Sequence, residues 1–204
     1  MLYRRWRHTR GFGVHSPLAY QCVRRVLIPG RGYSWYAYED IEIALETLPA
    51  TAQLPGEENR LRQKGRFALR LADFCRPSFV VAHPGVSSVV LAGIRGGGYR
   101  IAADNGEAEK RSDTEKWHED RGLTEGRGLH IIENKIGDEA WGNILRNGSD
   151  ILYFSDNSRN IAIVSQLIKA FMSSCCRGGV MIEGRKMLIL MQRSEMALHE
   201  YKVL

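Results

Sequence analysis

No acidic residue precedes Glu39, whereas Arg4, Arg5, Arg7, Arg10, Arg24, Arg25 and Arg31 all do. Charge of one sign over so long a stretch predicts a cationic face. Such a face is either solvated or paired within the chain, or turned toward a polyanion, nucleic acid or anionic lipid, although no nucleic-acid-binding motif accompanies it. Long apolar runs are also missing. None approaches the roughly 20 residues that cross a bilayer, and the opening MLYRRWRHTR lacks the apolar core of a secretion signal. A cytoplasmic protein without a membrane span is the expectation. Cysteine is scarce: Cys22, Cys75, Cys175 and Cys176 form no CxxC pair, which argues against a zinc site and predicts no metal. Adjacent cysteines rarely bond to each other, so all four read as small buried hydrophobes.

What is present is ordinary for a globular chain. The 204 residues are 44% hydrophobic and 25% charged, with net charge +6, enough for one sizeable domain and an appendage. The first 77 residues read as helical. Ser16 is placed to cap a helix whose first turn accepts Pro17, and Leu18, Cys22 and Val26 recur at helical spacing. A second helix is predicted over 39–48, with Ile41, Leu45 and Leu48 on one side. Residues 49–56 (PATAQLPG) read as a linker. A third helix, EENRLRQKGRFALRLADFC, carries Leu61, Ala68, Leu71 and Cys75 on one face and Arg60, Arg62, Lys64, Arg66 and Arg70 on its flanks.

From Ser78 to Leu204 short apolar runs alternate with helical stretches. The runs are FVVAH (79–83), YRIAA (99–103), LHIIE (129–133), DILYF (150–154) and GVMIE (179–183). Helices are predicted near 86–95, 107–121, 137–146 and 158–176. This rhythm predicts an α/β domain over 78–204 with a doubly wound, mostly parallel sheet of Rossmann-like type, preceded by the helical segment 1–77. The end breaks the rhythm. Only Gly184 and Arg185 separate GVMIE from KMLILM. A parallel neighbour would need a crossover of about a dozen residues, so the 186–191 strand is expected to run antiparallel to 179–183.

The motifs FGVHSPLAYQCVRRVL, YAYEDIE and DILYFSDNS resemble those of bacterial, chiefly Bacteroidetes, class I S-adenosylmethionine-dependent methyltransferase-like proteins. The likeness covers most of the chain, and Gly13-Val14-His15-Ser16-Pro17 is its most specific part. It implies a transferase fold binding S-adenosylmethionine, with the cofactor near Ala82, His83, Gly85, Ser87, Asp104, Asn105 and Ser155, and with His15 and Asp156 as catalytic candidates. The chain departs from the family at the cofactor loop. Relatives end the first strand in an acidic residue followed by a glycine-containing loop. Here Ala82 stands at the acidic position and Pro84 and Ser88 at the glycines, leaving Gly85 one place out of step. The aspartate ending the family's fourth strand falls on Ser155, with Asp156 one place beyond it.

Physical chemistry says what those departures cost. Proline fixes φ near −65° and removes an N–H donor. Alanine accepts no hydrogen bond from the cofactor's amino group, and each lost charge-assisted bond weakens affinity by roughly ten- to a hundredfold. Asp104 is placed to grip a ribose diol or to shape an Asp-Asn-Gly turn. Asp156 is placed to orient a substrate or to cap the helix after it. His15 lines the substrate side if the resemblance holds, or fixes the start of its helix by hydrogen bonds.

Three functions follow as expectations. The first is a methyltransferase-like protein with a degenerate active site, weakly active or inactive. The second is an active methyltransferase acting on a small molecule or nucleic acid. The third is a polyanion-binding module that uses the arginine-rich helices.

Overall fold

A computed structural model describes residues 16–27, 38–49, 55–103, 127–133, 138–146, 148–154, 179–184, 187–193 and 198–202. Helix α1 spans Pro17–Cys22 and continues as a π-helical turn, Val23–Leu27. Ser16 caps it, its Oγ accepting from the Ala19 N–H at 3.3 Å, as the Ser-Pro pair predicts. Cys22 and Val26 are fully buried. Helix α2 is Glu39–Glu46, burying Ile41 and Leu45. Helix α3 is Pro55–Cys75, so the last two residues of the predicted linker belong to it: proline is well suited to a helix's first turn. Arg76 ends it with a left-handed φ of 48°, donating its N–H to Ala72 O at 2.7 Å, and Pro77 follows.

Helix α4 (Ser88–Gly96) follows strand β1 (Phe79–Ala82), and β2 is Ile101–Ala103. Strand β3 is Gly128–Ile132, α5 is Asp138–Arg146 and β4 is Asp150–Phe154. Strands β5 (Gly179–Gly184), β6 (Met187–Gln192) and β7 (Leu198–Lys202) complete the described elements. The predicted helices at 107–121 and 158–176 lie outside the described residues. No helix among the described residues is long and apolar enough to cross a membrane.

One sheet holds all seven strands in the order β2-β1-β3-β4-β6-β5-β7. Strands β1 to β4 pair in parallel. The expected hairpin is present: β6 runs antiparallel to β5, pairing Glu183 with Leu188. Its far side pairs antiparallel with β4, Leu152 opposite Ile189. Strand β7 then crosses back to the outer side of β5 and runs parallel to it, because the chain has reversed twice.

The two sheet faces carry separate cores. On one, Leu129, Ile131, Leu152 and Ile189 pack with Val23 of the π turn, Leu71 of α3 and Ile94 of α4. On the other, Ile132, Ile151, Tyr153 and Leu190 pack with Trp141 and Leu145 of α5. Trp141 is 1% exposed and meets Tyr153 edge-on. Each fully buried aliphatic side chain contributes roughly 1.5–3 kcal/mol. Helices α1 and α3 therefore share a core with the sheet, whereas Ile41 and Leu45 of α2 pack in a separate cluster with Leu61 of α3 and Val89 of α4. Helices α3 and α4 approach closely through glycines: a Cβ on Gly93 would sit 2.7 Å from Gly65 O.

Candidate functional site

The chain leaves β1 toward β2 on one side, while β3 enters on the other. The crevice outside the carboxyl ends of β1 and β3 is therefore a topological switch point, the usual ligand site of an open α/β sheet. Three of its features come from one short loop, His83 to Ser87. His83 O accepts from the Val86 N–H at 3.2 Å, and Gly85 has φ +87°. Proline followed by a left-handed glycine inside such a closed turn is the type II arrangement. Gly85 thus supplies the positive φ that a tight turn requires.

Within the turn, the Gly85 N–H alone has no hydrogen-bond partner among the described residues. His83 donates its N–H to Ile131 O at 3.0 Å, inside the sheet. Pro84 has none. Val86 closes the turn, and the Ser87 N–H is taken by Glu133 Oε2 at 2.9 Å. Ser87 is the N-cap of α4, yet its side chain makes no capping bond, and its Oγ is buried without a hydrogen-bond partner. Glu133, from the end of β3, supplies the bond to the N-cap N–H that a capping box usually draws from within its own helix. A carboxylate at this end is also favoured by the helix dipole.

Glu133 is 9% exposed. Lys64 Nζ of α3 lies 3.2 Å from its Oε1, with both side chains largely buried, although the pair does not meet hydrogen-bond geometry at that oxygen. Lys64 also stands over the Phe154 ring, 5.5 Å from its centroid, so it reaches across the carboxyl ends of β3 and β4. On the opposite side of the strand ends, His83 Nε2 lies 3.0 Å from His130 Nδ1. Both imidazoles are buried. Burial, and then the neighbouring His83, lower the His130 pKa to about 4.

The predicted residues are thus partly brought together. Ala82 ends β1, 6% exposed, paired in register with Ala103 and Ile131. His83, Gly85 and Ser87 form the turn and the helix start. His15, Asp104, Asn105, Ser155 and Asp156 lie outside the described residues. Lys64, His130 and Glu133 were not among the candidates. Glu133 carried a usable signal, an acidic side chain at the very end of an otherwise apolar run, but counting it as the last strand residue hid it. His130 stood inside the same run.

On the basic flank of α3, Arg60, Arg62 and Arg66 are paired internally, while Arg70 is buried against the Phe67 ring. Arg62 Nε donates to Glu42 at 3.0 Å, Arg66 Nη2 to the same carboxylate at 2.8 Å, and Arg60 Nη1 to Glu57 at 3.3 Å. Arg62 also reaches Glu58. Each such half-exposed pair is worth about 0.2–1 kcal/mol. Arg24 and Arg25 are exposed, while Arg4, Arg5, Arg7, Arg10 and Arg31 lie outside the described residues. No group of three or more His, Cys, Asp or Glu among the described residues is arranged to hold a metal ion.

No family model, curated protein or solved structure matches the chain.

Proposed function

We propose that this chain is a methyltransferase-like protein of Rossmann type whose S-adenosylmethionine seat has closed, leaving a binding or scaffold role rather than methyl transfer. The parallel β1–β4 arrangement, with α4 and α5 at β1–β2 and β3–β4 and a switch point between β1 and β3, supports the fold half of this reading. The motif GVHSP and the strand DILYF supply the resemblance to the family.

The observation that carries the functional half is Glu133 on the Ser87 N–H. The residues present do not fit an adenosyl-methionine ligand. The loop's N–H groups at His83, Val86 and Ser87 are committed, Pro84 has none, and Ala82 offers no acceptor for an ammonium group, so a ligand would have only the Gly85 N–H and the first turn of α4 to bind. A ligand carboxylate arriving at α4 would meet another carboxylate, and like charges in a partly buried site repel strongly.

Calorimetric titration with S-adenosylhomocysteine tests the reading. The expected outcome is no binding tighter than about 50 µM, the level at which a functional cofactor site would still be plain. A tighter constant removes the proposal and restores the active methyltransferase, acting on a small molecule or nucleic acid.

A further inference from the structure

We propose that Arg70 anchors a phosphate-binding site on the arginine ridge of α3. The site lies apart from the β1–β3 crevice and is independent of the closed-cofactor reading.

Arg62, Arg66 and Arg70 follow one another at four-residue spacing, so they stand along one ridge of the helix, with neighbouring Cβ atoms roughly 5–6 Å apart. Carboxylates meet the first two. Glu42 and Glu58 hold Arg62, and Glu42 also accepts from Arg66 Nη2 at 2.8 Å. Arg70 is left out. It is 9% exposed, its guanidinium carbon lies 5.9 Å from the centre of the Phe67 ring, and its Nε is buried with no hydrogen-bond partner. Among the described residues no acid forms an ion pair with it. Asp73, the acid one turn further along the helix, accepts from the Tyr99 hydroxyl at 3.0 Å.

A guanidinium keeps its proton at any pH the fold survives, so this charge is carried inside the protein without a counter-ion. A ring face attracts a cation but offers no lone pair to its N–H groups. A buried charge without a partner is costly, and an anion seated against it removes that cost. Phosphate suits the position, because it presents two acceptor oxygens to the planar fork and keeps others for a second donor. The neighbouring Arg66 supplies one: it reaches Glu42 through Nη2, and its Nε is likewise buried without a partner. The surrounding charge favours an anion as well. Arg24 and Arg25 are exposed on the π turn, whose Val23 packs with Leu71 of the same helix, and the chain has no acidic residue before Glu39 to offset them.

The test is thermal unfolding and calorimetric titration with sodium phosphate, against sodium chloride of equal ionic strength, on wild type, Arg70→Met, Arg70→Lys and Arg62→Met. Phosphate is expected to raise the wild-type unfolding midpoint above the chloride control. Arg70→Met should bind phosphate at least about tenfold more weakly. Without phosphate it should be at least as stable as wild type, since an apolar chain replaces a lone buried cation. Arg70→Lys, which keeps the charge and loses the fork, should fall between the two. Arg62→Met, which removes a cation already held by carboxylates, should lose far less affinity than Arg70→Met. The proposal fails if phosphate and chloride act alike on wild type, or if Arg70→Met keeps the phosphate shift. It fails too if Arg62→Met loses as much as Arg70→Met, which would mark a diffuse effect of net charge. An Arg70→Met chain that does not fold, or is less stable than wild type without phosphate, overturns it equally, because the guanidinium would then be a structural contact. Binding of S-adenosylhomocysteine to wild type would remove the closed-cofactor reading alone.

Discussion

His83 and His130 face each other across neighbouring parallel strands, Nε2 to Nδ1 at 3.0 Å, with neither ring more than a tenth exposed. One nitrogen must donate and the other accept, so the contact needs at least one neutral ring in a fixed tautomer. Protonating both would place two cations in contact inside the fold.

A pH dependence follows. The His130 pKa in the fold, about 4, lies below the ordinary unfolded value of about 6.5. A base with a depressed folded pKa stabilises the fold fully above the unfolded value. That stability fades as pH falls from about 6.5 to about 4, by up to about 3 kcal/mol. Urea unfolding at pH 7 and pH 4.5 is expected to show the loss. His130→Asn, which keeps a neutral polar group, should flatten the dependence, and an equally steep profile in that variant would count against the assignment.

Glycine at the crossing of α3 and α4 is required by space. A Cβ on Gly93 would approach Gly65 O to 2.7 Å, and one on Gly65 would approach Val89 O to 2.9 Å. Both neighbours are backbone and cannot rotate away. Alanine gains about 1 kcal/mol of helix propensity, but overpacking of this kind costs about 1–3 kcal/mol. Gly93→Ala is expected to be net destabilising in chemical denaturation, whereas Gly142→Ala, with no atom within 4 Å of its Cβ, should be neutral or stabilising.

Asp150 and Arg193 form a buried pair at the opposite end of the sheet. Arg193 Nη1 donates to Asp150 Oδ1 at 2.8 Å, the Gln192 N–H donates to the same oxygen at 3.0 Å, and Asp150 is 1% exposed. Removing one member leaves a buried charge alone, which costs about 3–5 kcal/mol. Arg193→Ala is therefore expected to unfold at much lower denaturant than wild type, and Arg193→Met should show a similar loss, since it also strands Asp150. A small change in both variants would mean that the charge is relieved by water.

Two thiols sit near that pair and are predicted to be inert. Burial, then the Asp150 carboxylate, push the fully buried Cys22 thiol up to about 12 and hold Cys75, half-buried rather than buried as its sequence context suggests, well above its ordinary value. The thiolate is the reactive form, so native alkylation at pH 7.5, mapped by peptide mass spectrometry, should leave both unmodified and label them after denaturation.

Arg76 ends α3 with φ 48°, a conformation glycine adopts without penalty. Arg76→Gly is expected to leave stability unchanged or raise it by up to about 1 kcal/mol, read as a shift in the unfolding midpoint.

Much of this architecture was legible because it follows from local chemistry. The cap at Ser16, the stop at Arg76-Pro77, the core face of α3 and the hairpin at 184–186 each rest on residues within a few positions of one another. Strand order does not. Nothing in the period of GLHII says that it lies against β1, because parallel pairing is chosen by long-range packing. The site shows the same division. Pro84 and Gly85 announce their turn in the sequence, whereas Glu133 and Ser87 stand 46 residues apart and meet only once β3 has taken its place.

Strand β6 has a final consequence for assembly. It is the bridge between β4 and β5, which pair with it and not with each other. During synthesis the strands before it can form at most two unjoined pieces, each with a naked edge, until Met187–Gln192 has left the ribosome. The two pieces join only through β6, so a chain arrested before Met187 would expose the very backbone groups on which aggregation begins.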